Sequence, residues 1–217
     1  EMAISSEDNP PGLPSVDDEH THILRHQLEL FGLLDKVPTF EMPDSNIIRD
    51  EGHVAQLHDW LNEGRSDGEL GLLYRSSIDG LSNAHFHSKC DNQGCTLTVI
   101  EATDGLVFGG YSNTPWASTG GWSTANKAFV FVLSERDIAF FCKMKLKNAN
   151  DGHAVHRESS YGPYFGCHEL LVNVNESNVL LKFGNTYEPG PWQLNNNGSH
   201  KVLTIKEMEV FQVSGNS

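Results

Sequence analysis

Two periodicities organise this chain: apolar residues alternate with polar ones in many short runs, and recur at helical spacing in a few windows. The densest stretch is Leu72 to Ser118. Leu72–Tyr74 predicts a short strand, and Asp79-Gly80 a turn, since glycine accepts positive φ. Ser82 stands where its hydroxyl can accept the His85 N–H and cap a helix. Leu81 and Phe86 then occupy the two positions of a hydrophobic staple. Asp91-Asn92-Gln93-Gly94 is turn chemistry and ends that helix near Cys90. Thr96–Ile100 is β-branched and alternating, a strand, and Thr103-Asp104-Gly105 turns it into Leu106–Phe108. Gly109-Gly110-Tyr111 predicts a bend or a close backbone approach. Pro115-Trp116 reads as a rigid turn beside a large apolar anchor.

The same patterning extends in both directions. Residues 22–34 carry an apolar stripe at roughly helical spacing, and residues 37–43 form a two-proline linker. Val54, Leu57, Trp60 and Leu61 share one helical face, with Asp50 as the expected N-cap. Asn62-Glu63-Gly64 ends that helix, and residues 64–71 are expected as a loop. Gly120-Gly121-Trp122 is also expected as a loop. Ala128–Leu133 reads as a buried strand and residues 137–146 as a strand whose far end is solvated on one face. Glu169–Val174 and Val179–Phe183 pair as a hairpin, and residues 189–198 are a loop. Leu203–Val213 is the last strand, and its alternation changes phase at Lys206-Glu207, as a β-bulge would cause. Eight or so short strands with turns between them predict a mainly β chain with flanking helices, an α+β class built on a two-sheet antiparallel sandwich.

Charge alters this picture at one end. The 217 residues carry a net charge of −14. Residues 1–70 hold 16 acids against 4 bases, whereas residues 71–217 hold 13 against 11. Residues 1–43 therefore read as an acidic extension, partly disordered or helical, ahead of a domain over residues 44–217. A nucleic-acid surface would need a basic patch, which this balance argues against. No run approaches the ~18 apolar residues of a membrane-spanning helix. The acidic, Pro- and Ser-rich start does not read as a secretory signal, so an intracellular, cytoplasmic location with reduced thiols is expected.

The order and spacing of several short pieces resemble the TLDc domain. They are Leu73-Tyr74-Arg75, Asp79-Gly80, Phe86-His87, Cys90-Asp91, Thr96-Leu97, Gly109-Gly110-Tyr111 and Pro115-Trp116. Ser45 with Ile47-Ile48 resembles the lead of that family. Tyr161-Gly162-Pro163-Tyr164-Phe165-Gly166 resembles its second glycine-aromatic motif, and Cys167-His168-Glu169-Leu170 departs from the small residues and Asp-Leu that usually follow. The resemblance covers residues 45–213. It implies a non-enzymatic interaction module with a role in protection against oxidative stress. It also implies a protein partner among the subunits of the vacuolar proton-pumping ATPase, with no cofactor.

Other chemistries compete with that expectation. His85, His87, Cys90, His153, His156, Cys167 and His168 are residue types that zinc takes, but His85 and His87 lie two apart on a helix and point in different directions. Cys90 with a histidine could form a nucleophile and base, although its i+4 relation to Phe86 favours packing. Cys90 also falls at a helix C-terminus, where the dipole disfavours a thiolate, which argues against a peroxide-consuming thiol. Asp79 and Glu169 could act as acids or bases, yet carboxylates beside turns commonly bind backbone N–H groups. Trp116 and Trp122 flank one loop and could stack on a sugar, as in a lectin-like sandwich.

Overall fold

A computed structural model of the chain describes residues 42, 44–62, 69–136, 138–189 and 200–214. The helical stripe over residues 22–34 and most of the loop over residues 189–198 lie outside the described residues. Helix α1 (Glu51–Leu61) starts where Asp50 accepts the His53 N–H at 3.1 Å. Strand β1 (Glu69–Arg75) follows, so part of the loop expected over residues 64–71 is already ladder. The short helix α2 (Ser76–Asp79) closes on Gly80 at φ +85°. Helix α3 (Asn83–Cys90) is capped by Ser82, which accepts the His85 N–H at 3.1 Å. Its expected staple is half made, since Phe86 is buried while Leu81 stays exposed.

The other strands are β2 (Thr96–Ala102), β3 (Leu106–Ser112), β4 (Gly121–Ser123), β5 (Phe129–Glu135), β6 (Ile138–Lys145), β7 (Val155–Arg157), β8 (Tyr164–Phe165), β9 (Leu170–Asn173), β10 (Asn178–Leu181) and β11 (Lys201–Ser214). Strand β4 corrects the loop expected at Gly120-Gly121-Trp122: its glycines hide a ladder with β7 that pairs Trp122 with His156.

The ladders between the described strands are all antiparallel, and β11 carries the fold. Its first residues pair with β10, while the rest pair with β2 on one side and β1 on the other. The register shifts between Ile205 and Glu207, the bulge that the broken alternation predicts. The chain of strands thus continues through β11 from a smaller sheet (β4-β7-β8-β9-β10) into a larger one (β11-β2-β3-β5-β6, with β1 beside β11).

The middle of the larger sheet (β2, β3 and β5) is buried on both faces, while the edge strands β6 and β1 are partly exposed. One face packs against the smaller sheet through Ile100, Phe108, Val130 and Met208 on one side and Val155, Phe165, Leu170 and Val179 on the other. The opposite face is covered by Ile48, Leu57 and Trp60, which sit against Leu97, Val99, Phe129, Phe131 and Phe211. Strand β2 is therefore buried nearly throughout, rather than on alternate residues as its Thr spacing suggests. Each large apolar side chain buried in this way contributes ~1.5–3 kcal/mol.

Candidate functional site

The residues singled out in the sequence converge on the junction between the two sheets. Trp116 is buried, with its ring 6.0 Å from Phe86 and 5.4 Å from Phe165, both edge-on. Phe86 in turn meets Tyr74 at 6.2 Å and His87 at 4.9 Å. Gly110 supplies the room: a Cβ there would lie 2.7 Å from the Phe165 ring. Its φ is not positive, so a close approach, not a special backbone conformation, requires the glycine. The glycine-aromatic motif of β3 and that of β8 are thus one packing unit. Gly109 lies beside it in β3, while Tyr111 turns to the other face and stacks on Phe129 at 5.3 Å. Pro115 leads into the anchor, and Gly162 and Pro163 exchange backbone hydrogen bonds with Val172.

Two polar groups fasten this junction. His87 spans α3 and a neighbouring loop: Nδ1 meets the Asp91 carboxylate at 2.7 Å, and Nε2 meets the carbonyls of Tyr161 at 2.8 Å and Glu158 at 3.1 Å. Ser118 donates to the other Asp91 oxygen at 2.6 Å. A hydrolytic triad needs the serine on the imidazole nitrogen remote from the carboxylate. Here the serine bonds the carboxylate itself and backbone carbonyls occupy that nitrogen, so the arrangement fastens loops. Glu169 is fully buried and accepts the N–H groups of Gly184 and Asn185 at 2.7 Å, Thr186 at 2.8 Å and Tyr187 at 3.0 Å. Burial raises its pKa despite these amides. Gly166, at φ +60°, leaves the space that this carboxylate fills.

A further buried acid, Glu209, lies opposite Val99 on the outer face of the larger sheet, and the sequence reading passed over it. It is fully buried and pairs with the Arg75 Nε at 2.6 Å. It also accepts the Asn46 N–H at 2.9 Å and the Ser45 hydroxyl. Arg75 reaches on to the Asp44 carbonyl. Ser76 bonds Glu207 and accepts the Met208 N–H at 2.9 Å. The available signal was a pair of acids two positions apart, Glu207 and Glu209, among the apolar Met208, Val210 and Phe211. Asp79 accepts the Arg75 N–H at 2.9 Å and pairs with Lys89 at 2.9 Å.

The competing chemistries fare as follows. Burial, reinforced by the Asp91 and Asp79 carboxylates, pushes the Cys90 thiol far above its ordinary pKa. Cys90, Cys95, Cys142 and Cys167 are all free, and Cys95 and Cys167 are half-buried. Among the described residues no group of three or more His, Cys, Asp or Glu is placed to hold a metal ion. Trp116 cannot stack on a sugar, because it is core. Trp122 lies on the smaller sheet against His156 at 4.6 Å and Tyr164 at 5.1 Å. His156 has its pKa lowered, chiefly by burial.

A family model described as the TLDc domain matches residues 42–214. A Mus musculus protein, MTOR-associated protein MEAK7, is 32% identical over 65 residues, which is 30% of this chain and 14% of the mouse protein. The match therefore spans only a small part of that relative's length.

Proposed function

The chain belongs to the TLDc domain family, and we propose that it is a non-enzymatic protein-interaction module acting through its outer surface. One observation carries this reading: the large signature side chains other than Tyr111 are committed to the sheet junction. Phe86, Trp116 and Phe165 fill the sheet junction, and His87 and Asp91 fasten loops. A catalytic constellation needs a nucleophile or base free to reach a substrate, and these groups are turned into the core. The mouse relative is named for its association with MTOR, which also supports an interaction role.

The partner we propose is a protein complex, the vacuolar proton-pumping ATPase, met in the cytoplasm. Protection against oxidants would follow from that contact, with Cys90 too buried and too high in pKa to react as a thiolate. The test combines purified vacuolar ATPase subunits with the full chain and with a variant whose four cysteines are replaced by serine or alanine. Both are expected to be captured, and neither to consume peroxide catalytically. Catalytic peroxide consumption that disappears in the cysteine-free variant, with the fold intact, would overturn the reading.

A further inference from the structure

Beside the N-terminal end of α1, the outer face of the larger sheet opens into a groove of about 610 Å³. That volume lies in the range of ordinary binding pockets, ~300–1,000 Å³. Its floor is one row of residues in register across five strands. Glu207 of β11 faces Glu101 of β2, which faces Val107 of β3, followed by Ser134 of β5 and Ala139 of β6. Elsewhere on this face α1 lays Leu57 and Trp60 over Leu97, Phe129 and Phe131. Here the small side chains of Ser134 and Ala139 leave the space above the row open.

The polar groups of the floor are under-partnered. Glu207 and Glu101 stand directly opposite each other across the ladder, an arrangement that repels when both are ionised. Lys206 pairs with Glu101 at 2.6 Å. Glu207 has no ion pair among the described residues, although it is buried and its pKa is held low. The Ser76 hydroxyl and the N–H groups of Ser77 and Met208 converge on its Oε1, whereas its Oε2 meets the Asn46 amide nitrogen at 3.5 Å, a long contact. Ser134 is 3% exposed, and its hydroxyl has no hydrogen-bond partner among the described residues. A buried carboxylate and a buried hydroxyl that lack full partners each cost stability until a donor or acceptor arrives. At the rim, Arg49 is exposed and forms no ion pair among the described residues.

We infer that this groove receives a lysine side chain from a segment of a protein partner, with an acid of the same segment meeting Arg49. The inference rests on the interaction-module reading above. A cationic side chain complements a chain with 29 acids against 15 lysines and arginines. Among the described residues no three acids are grouped to hold a metal ion, and the two carboxylates of the floor come from different strands. An ammonium suits that spread: it reaches Glu207 Oε2 as a point charge and turns its other protons to Glu101 or the Ser134 hydroxyl, whereas a planar guanidinium needs one bidentate acceptor. Val107 and Ile47 supply the apolar wall along which the methylene stem lies.

The probe is the synthetic peptide acetyl-Ala-Lys-Glu-Ala-amide, titrated into the full chain by heteronuclear NMR. Saturable binding is expected, with resonance changes at Val107, Ser134 and Ala139, and with weakening as salt rises. Ala139→Phe fills the floor from an exposed position, so it should melt as the parent does and bind at least about tenfold more weakly. Glu101→Gln leaves Lys206 unpaired beside the incoming ammonium and should weaken binding by a similar factor. Three results overturn the proposal: no binding of the peptide, equal binding by Ala139→Phe, or equal binding of the peptide with glutamine in place of its lysine. Spermidine that binds the parent when the peptide does not, and fails to bind Ala139→Phe, would reassign the groove to a free polyamine and also overturn it. The same variant separates this proposal from the reading it rests on. If Ala139→Phe captures vacuolar ATPase subunits as well as the parent does, the groove fails alone. If neither chain captures them but the peptide binding holds, the named partner fails and the groove stands.

Discussion

Gly110 and Tyr111 are neighbours on β3, and they serve opposite faces of the same sheet. On the inner face Gly110 makes room for Phe165, and around it large rings and tied carboxylates leave little freedom. On the outer face Tyr111 lies at a cleft whose other wall carries lysines. The inner face uses shape complementarity, so a change of one methyl is felt across both sheets. The rim of the outer face carries the exposed Lys127 and Lys145, so substitution there should cost less folding stability than at the junction. A family signature dominated by the first kind of residue reports the fold, and function has to be sought in the second kind.

The largest expected effects break the buried interior, on the inner face at Trp116 and on the outer face at Arg75. Trp116→Ala should cost ~3–5 kcal/mol, through lost contacts and the cavity left behind. Arg75→Ala should cost a similar amount, since it strands the Glu209 charge in the interior. Denaturant unfolding checks both: a loss below ~1 kcal/mol for Trp116→Ala would mean that the junction is not the tightly packed unit described, and one for Arg75→Ala that the Glu209 charge is not held by this pair.

A smaller effect separates the two buried acids Glu169 and Glu207. Burial opposes ionisation of Glu207, but hydrogen bonds from Ser76, Ser77 and the Met208 N–H outweigh it and hold its pKa low. Its stabilisation is therefore present above the unfolded-chain value of ~4.3 and is lost as pH falls through the folded value. Glu169 has the opposite sign. Its folded pKa is raised, so its contribution is full in acid and declines as pH rises through that value. Stability measured from about pH 7 to about pH 3 should fall less steeply for Glu207→Gln than for the parent. The cost of Glu169→Gln, ~1–3 kcal/mol, should be greater in acid than near neutrality. Identical pH profiles for the two variants would contradict the assignment.

How much of this was legible in sequence depends on the range of the interaction. Local chemistry read correctly: the Ser82 and Asp50 caps, the Asp104-Gly105 hairpin and the β11 bulge each rest on residues a few positions apart. Contacts between distant residues did not. Ser45 and Glu209 lie 164 positions apart, and each alone is an ordinary polar residue. The Ser118–Asp91 bond, at a separation of 27, was missed for the same reason. Strand β4 was missed because its glycines carry loop chemistry while its partner β7 lies more than thirty residues on. Trp116 and Trp122 looked equivalent in sequence. Only the fold places one in the core and the other on the smaller sheet.

The smallest stability effect belongs to the outer face. Lys127→Glu should change unfolding free energy by less than ~0.5 kcal/mol, since the side chain is exposed. A larger loss would show that the rim of the cleft is structural after all.

The central claim is that the two glycine-aromatic motifs are one unit, and a double-mutant cycle on Gly110→Ala and Phe165→Leu tests it most directly. The added methyl should overpack the Phe165 ring, and truncating that ring should relieve the clash. The double variant should then be more stable than the sum of the single losses predicts, with a coupling of ~1–2 kcal/mol. Losses that add to within ~0.5 kcal/mol would contradict the account.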